Sequence, residues 1–465
     1  MTKNLSKKGG EIYTPANIVS LMLDFCNYNG LSIYKKHIID NSCGKGAFLE
    51  QIVQRYCSLP LNPSELQNNL ETYIHGIEIN ENSRNECIDN LNRIVENFGL
   101  ENVKWDIKLG NALTFNEYDR KMDYVVGNPP YVRIHNLKDD NAAYDILRKY
   151  EFAKKGSSDL YLAFYELGLR MLKPSGSLCY ISPSAWLQNA SGLSFRHYIN
   201  NTHHLSKVID FGSEQIFDNA QTYVMIAYFQ GNNDKINYYE YNKNKSLKPI
   251  GNIKYEDIFI NDKMYFISSF NNIKEISNCE NGNILVKNGF ATLSDEVFID
   301  NVPDNTDMVI PIYKSSKGIW KKCLFPYDNK GNGLTIDIIK EKYPIAYEYI
   351  QKNEEKLKKR SYDKNSMNAW WLIGRRQGIN DVNKNKVSIN NVIKNVDSIK
   401  TEEIPAGTQV YSGYYIMGLD IENVDRLVKT VDFIQYVKSL KKYKSGGYFT
   451  FSPKDLQKFL NWKCK

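Results

Sequence analysis

The chain has 465 residues, 60 Lys and Arg against 53 Asp and Glu, and a formal net charge of +7. With 42% hydrophobic and 24% charged residues it has the composition of a globular protein of two or three domains. That excludes a disordered tail, a collagen-like chain and a disulfide miniprotein.

The first half alternates strands and helices. Apolar strand-like runs occur at Ile38–Asp40, Ile74–Ile79, Val103–Leu109, Tyr124–Val126, Leu178–Ser182, Lys207–Asp210 and Tyr223–Phe229. Helical patterns separate several of them, at Ala47–Tyr56, Glu81–Phe98, Asp159–Leu172 and Leu193–Asn201. In Asp159–Leu172 the residues Leu160, Ala163, Phe164, Leu167 and Met171 repeat at the spacing of one buried helix face. Such alternation predicts an α/β domain over residues 1–230, with helices on both faces of a mostly parallel sheet. Ligands in these sheets bind beyond the carboxyl ends of the strands.

Gln230–Lys245 is polar and reads as a linker or exposed hairpin. Residues 231–465 lack regular alternation and predict a mixed α+β domain, with a charged helix near Tyr343–Arg360 and a last helical stretch near Val424–Tyr443. The charge divides at the same boundary. Residues 1–230 carry a net charge of −2 and residues 231–465 carry +9.

Eight cysteines are scattered without Cys-x-x-Cys spacing or a histidine pattern. Neither a zinc site nor a disulfide framework is expected, and reduced thiols fit a cytoplasmic protein. No apolar run approaches the ~18 residues of a membrane span, and the N-terminus has no apolar leader. No membrane association is expected.

Three strand ends carry candidate chemistry. In Asp40-Asn41-Ser42-Cys43-Gly44-Lys45-Gly46 a strand ends at an acid and a glycine turn opens a helix, so the backbone can approach a ligand; a plain structural turn is the alternative. Gly-Lys-Ser/Thr is absent, which disfavours phosphate chemistry and leaves a nucleoside as the better fit. Glu78 ends the next strand, where a carboxylate can accept both ribose hydroxyls or stand in solvent. The strongest signal is Asn128-Pro129-Pro130-Tyr131. Two prolines cannot continue a central strand. They leave an amide oxygen and a proline carbonyl as paired acceptors, which suits an aromatic amine whose lone pair must be localised, and Tyr131 can stack on the base.

Together with Tyr13-Thr14-Pro15 and Gly110-Asn111-Ala112-Leu113, these segments resemble the S-adenosylmethionine-dependent DNA adenine-N6 methyltransferases of type II restriction–modification systems, in the gamma motif order. The resemblance covers residues 8–230 and, more loosely, Asn288–Ile299, Gly374–Asn380 and Ser445–Ser452. It implies a seven-stranded Rossmann-like methyltransferase domain followed by a target-recognition domain. It also implies that Thr14, Asp40, Ser42, Cys43, Gly44, Gly46, Phe48, Glu78, Asn111, Ala112, Pro130 and Phe164 surround S-adenosylmethionine. Asn128, Pro129, Pro130 and Tyr131 would form the catalytic loop, with Phe217 closing the other side of a flipped adenine. Three positions depart from the family pattern: Asn111 stands where Asp is usual, Asn41 where Pro is common, and Lys45 where a small residue is common.

The implied transfer needs no metal, and the chain has no Pro-Cys pair of the cytosine-C5 type. Double-stranded DNA is the expected partner, the enzyme is expected to act as a monomer, and any cognate restriction endonuclease would be a separate chain. Only 12 Arg are present, and Arg375 and Arg376 are adjacent to each other and to Gln377. Arg reads guanine and Gln reads adenine in the major groove; phosphate clamping is the alternative. Lys352–Arg360 reads as a solvated helix face. Three rival readings are a protein-glutamine or RNA methyltransferase, cytosine-N4 methylation, and a non-catalytic DNA-binding module.

Overall fold

A computed structural model describes residues 13–134, 141–154, 158–217, 222–241, 246–266, 272–279, 282–360 and 369–465. The chain divides into two compact units, Met1–Ser268 and Ser269–Lys465.

The first unit is built on a nine-stranded sheet: β1 (Ile38–Asp40), β2 (Ile74–Glu78), β3 (Asp106–Leu109), β4 (Met122–Gly127), β5 (Leu172–Pro183), β6 (Leu205–Asp210), β7 (Val224–Gln230), β8 (Lys235–Tyr241) and β9 (Leu247–Lys254). Their order is β3-β2-β1-β4-β5-β7-β6-β8-β9. β1 pairs in parallel with β2 and β4, with Asp40 level with Gly76 and Val126. β4 pairs in parallel with β5. β7 lies antiparallel between β5 and β6. The count is therefore nine strands where seven were expected. The two additions lie in and just beyond the stretch read as a linker or exposed hairpin: Lys235–Tyr241 pairs in parallel with β6, and β9 folds back on it in antiparallel pairing. Ile236 and Tyr238 on β8 are buried, which is why this polar-looking stretch joins the sheet; residues 242–245 lie outside the described ones.

Both faces are covered. Ile39, Val125 and Leu178 belong to one core, with α6 (Leu160–Met171) and α7 (Leu193–Thr202). Their neighbours Ile38, Val126 and Cys179 belong to the other, with α1 (Ala16–Phe25), α2 (Ala47–Cys57), α3 (Pro63–Tyr73) and α4 (Glu81–Glu96). Successive strand residues face opposite sides, so burial on both faces demands continuous apolar runs. A further helix, α5 (Asn141–Arg148), lies between β4 and β5 in the chain.

The second unit is mixed α+β. It holds a four-stranded sheet centred on Tyr414–Met417 and Lys386–Ile389, and two three-stranded sheets. Its helices include Pro344–Lys352, Glu354–Lys358, Ile421–Val428, Val431–Ser439 and Pro453–Lys463. The single charged helix expected near Tyr343–Arg360 is interrupted at Asn353. Counted by compact unit, the net charges are −1 for residues 1–268 and +8 for 269–465. Among the described residues no helix is long and apolar enough to cross a membrane.

Candidate active site at the carboxyl ends of the strands

β1 ends at Asp40, which is 1% exposed and has no ion pair among the described residues. Its Oδ1 accepts the Ser42 backbone N–H at 3.0 Å. Burial raises its pKa, the Ser42 N–H lowers it and the Glu78 charge raises it again, leaving it pushed up to about 7. The chain then turns through Gly44 and Gly46, at φ of +53° and +97°. A Cβ at Gly46 would lie 2.8 Å from Cys87 Sγ, so that glycine serves helix packing. A Cβ at Gly44 would meet nothing within 4 Å, so the space before the turn is open. The turn is laced to β2: the Cys43 N–H donates to the Ile77 carbonyl at 3.0 Å and the Gly44 N–H to Glu78 Oε2 at 2.9 Å. Glu78 Oε1 accepts the Asn80 N–H at 2.7 Å.

After β3, the Gly110 N–H donates to the Glu78 carbonyl at 2.8 Å. Asn111 Oδ1 accepts the Leu113 N–H at 3.1 Å and caps the short turn Ala112–Thr114. β4 delivers Asn128. Its backbone carbonyl accepts Ser42 Oγ at 3.3 Å, and its Nδ2 donates to Thr14 Oγ1 at 3.1 Å. Thr14, Asn128 and Ser42 thus form one hydrogen-bonded set and Gly44 and Glu78 another, joined through the Ser42–Gly44 turn, although the sequence spreads them over more than a hundred residues. Phe48 and Phe164 lie within the two hydrophobic cores, and Ala112 is buried.

The Asn128–Tyr131 loop is held from beyond the prolines. The Ile134 N–H donates to the Ser158 carbonyl at 2.9 Å, and the Leu160 N–H to the Val132 carbonyl at 2.8 Å. The Tyr131 hydroxyl donates to the Ile181 carbonyl at 3.3 Å. These supports are backbone groups and carry no side-chain signature. The Tyr131 and Phe217 rings meet edge to face, with centroids 6.2 Å apart and planes at 64°. Two rings sandwiching a base need parallel planes about 7 Å apart. The slot expected between them is closed in this form.

Two departures from the family pattern have a visible cause. Asn41 is buried beneath the turn, and its Oδ1 accepts the Tyr180 hydroxyl at 2.8 Å. Lys45 is drawn outward by Glu86, at 2.9 Å. Neither side chain enters the space before Gly44 along these bonds.

In the second unit Arg375, Arg376 and Gln377 are exposed. Their strip is fixed by backbone bonds between Arg375 and Ala291 in both directions, at 2.9 and 3.2 Å. Arg360 was expected on a solvated helix face and is instead a clamp. Its guanidinium donates to the Thr292, Trp370 and Leu372 carbonyls at 2.8, 2.5 and 2.9 Å.

Residues 27–217 match the Eco57I restriction-modification methylase family. The match spans less than half of the chain and marks a likeness of that segment to these methylases. Along more of its length the chain is 24% identical to the type II methyltransferase M.BstVI of Geobacillus stearothermophilus, covering 80% of this chain and 75% of the relative. It is 25% identical to the type II restriction enzyme and methyltransferase RM.Eco57I of Escherichia coli, covering 86% of this chain but only 51% of that protein. Its fold resembles that of the type IIL restriction–modification enzyme MmeI, solved in complex with DNA, at 15% identity and a TM-score of 0.65 over 94% of this chain and 63% of that one.

The residues at this turn fit a cationic nucleoside cofactor. A Cβ at Gly44 would meet nothing within 4 Å, and Asp40 is buried with no ion pair among the described residues. Asp40, Ser42, Gly44, Glu78 and Asn111 are the residues that would hold S-adenosylmethionine.

Proposed function

We propose that this chain is the modification methyltransferase of a restriction–modification system, and that it methylates the N6 amine of an adenine flipped out of double-stranded DNA. S-adenosylmethionine supplies an activated methyl group on its sulfonium. Asn128 Oδ1 and the Pro129 carbonyl accept the two hydrogens of the target amine. That localises the nitrogen lone pair and stabilises the positive charge that grows on nitrogen. Tyr131 and Phe217 hold the base by stacking, after turning from their edge-to-face contact. The second unit is the target-recognition domain, in which the exposed Arg375, Arg376 and Gln377 contact DNA. The enzyme acts in the cytoplasm as a monomer.

The observation that carries this reading is the placement of the Asn128-Pro129-Pro130-Tyr131 loop beside the Ser42–Gly44 turn and Glu78. The test expresses the chain in a methylation-free host and sequences its DNA by a single-molecule method that distinguishes N6-methyladenine from N4-methylcytosine. Modified adenine in one sequence context is expected, and Asn128→Ala should remove it. An active Asn128→Ala variant, or modified cytosine, refutes the reading.

A further inference from the structure

We propose that Thr14 is a positioning residue for Asn128, acting on the orientation of its carboxamide; this rests on the catalytic role assigned to Asn128 above. A carboxamide has one accepting and one donating end, and only the accepting end can receive an amine hydrogen. The two ends differ by a rotation about one side-chain bond, so an acceptor must be supplied for the nitrogen if the oxygen is to face the substrate.

Thr14 supplies it. Its hydroxyl lies 3.1 Å from Asn128 Nδ2 and the residue is 2% exposed. Its position is set from outside the loop. Pro15 follows at once, its carbonyl accepts the Ile18 and Val19 N–H groups at 2.9 and 3.1 Å, and α1 is anchored by the buried Ile18, Val19, Met22 and Leu23. On the other side the Asn128 backbone is held by Ser42 Oγ and followed by two prolines. The carboxamide is therefore gripped at its backbone and at its nitrogen. With Nδ2 given to Thr14, Oδ1 occupies the other branch of the amide plane. A hydroxyl can donate as well as accept, but a Thr14 that donated to Oδ1 would leave the amide NH₂ facing the substrate's own NH₂. Only the arrangement present here is productive.

The resemblance assigns Thr14 to the methionine end of the cofactor, so the two roles make different demands. The test uses the full chain with Thr14→Val, Thr14→Ala and Thr14→Ser. It measures the S-adenosylmethionine dissociation constant by equilibrium binding. It also measures the single-turnover methylation rate at saturating cofactor and DNA. Removing the Thr14 acceptor should lower the correctly oriented population by roughly one to two powers of ten. Val and Ala should therefore slow the saturated rate about 10- to 100-fold with cofactor affinity within about threefold. Ser, which keeps the hydroxyl, should restore the rate. Three results would overturn the proposal: weakened cofactor binding with an unchanged saturated rate, Ser as slow as Val, or no effect in any variant. Should Val lose cooperative unfolding, the Ala and Ser pair decides by the same criteria. An active Asn128→Ala enzyme would instead remove the reading beneath it.

Discussion

Asp40 offers the sharpest test of the cofactor site, because its carboxyl is buried and pushed up to about 7. Its ordinary value is 3.8, so the folded protein holds a proton there that the unfolded chain releases. Between about pH 4 and 7 the folded state binds more protons, and stability falls as pH rises through that window. The full shift corresponds to about 4 kcal/mol at pH 7 and above, as an order of magnitude. A cationic cofactor next to this acid reverses the preference, since it favours the carboxylate. Binding should then release a proton below pH 7. The dissociation constant of S-adenosylmethionine should weaken about tenfold per pH unit on descending from 7, and level off above it. Titration calorimetry at pH 5.5, 6.5 and 8, in two buffers of different ionisation enthalpy, reads both the affinity and the released proton. Asp40→Asn should bind with a flat profile over the same range and be more stable than the parent at pH 8. A flat profile for the parent, or a slope that survives in Asp40→Asn, would refute the reasoning.

Gly127→Ala places a Cβ 2.7 Å from Asp40 Oδ1, on a backbone at φ +150°; it should cost about 2–3 kcal/mol in denaturant unfolding. Asn41→Pro installs the residue common in the family but strips the buried Tyr180 hydroxyl of its acceptor, and a loss of about 1–3 kcal/mol is expected in thermal unfolding. Phe217→Ala should weaken binding of duplexes carrying a fluorescent base analogue at the target by about 1–3 kcal/mol, with cofactor affinity unchanged. Arg375→Ala and Arg376→Ala separate reading from clamping. A base reader relaxes the methylated sequence at one position, whereas a phosphate contact lowers the salt dependence of DNA binding by about one unit of slope.

The strands of the first unit could be read within a few residues because burial on both faces leaves uninterrupted apolar runs such as Val224–Phe229. Helix α1 escaped notice: it begins after Pro15 with no capping side chain and spans only ten residues. Helix α3 buries only Leu66, Asn69 and Leu70, too thin a stripe to register as a periodicity. β8 alternates Lys, Asn and Glu with its buried Ile236 and Tyr238, and its composition hid its place in the sheet. The loop after β4 was evident as a strand end because two prolines cannot continue a central strand. What surrounds it was not, because the Thr14–Asn128 bond spans 114 residues and the groups that hold Tyr131 and Ile134 are carbonyls. Arg360 misled for the opposite reason: a basic run describes its neighbours well and says nothing about one guanidinium turned inward.

The reversed direction of β7 has a consequence for where the second aromatic ring comes from. β6 runs with β8, and β5 and β6 both oppose β7. The chain leaving β6 therefore turns back at the same end of the sheet at which β4 releases Asn128. Phe217 belongs to that hairpin connection. The connection brings Phe217 against Tyr131 from a part of the chain well separated in sequence from the Ser42–Gly46 turn. Under the proposed roles the target slot would draw one ring from the loop after β4 and the other from the connection after β6, so it would span strands on both sides of β5.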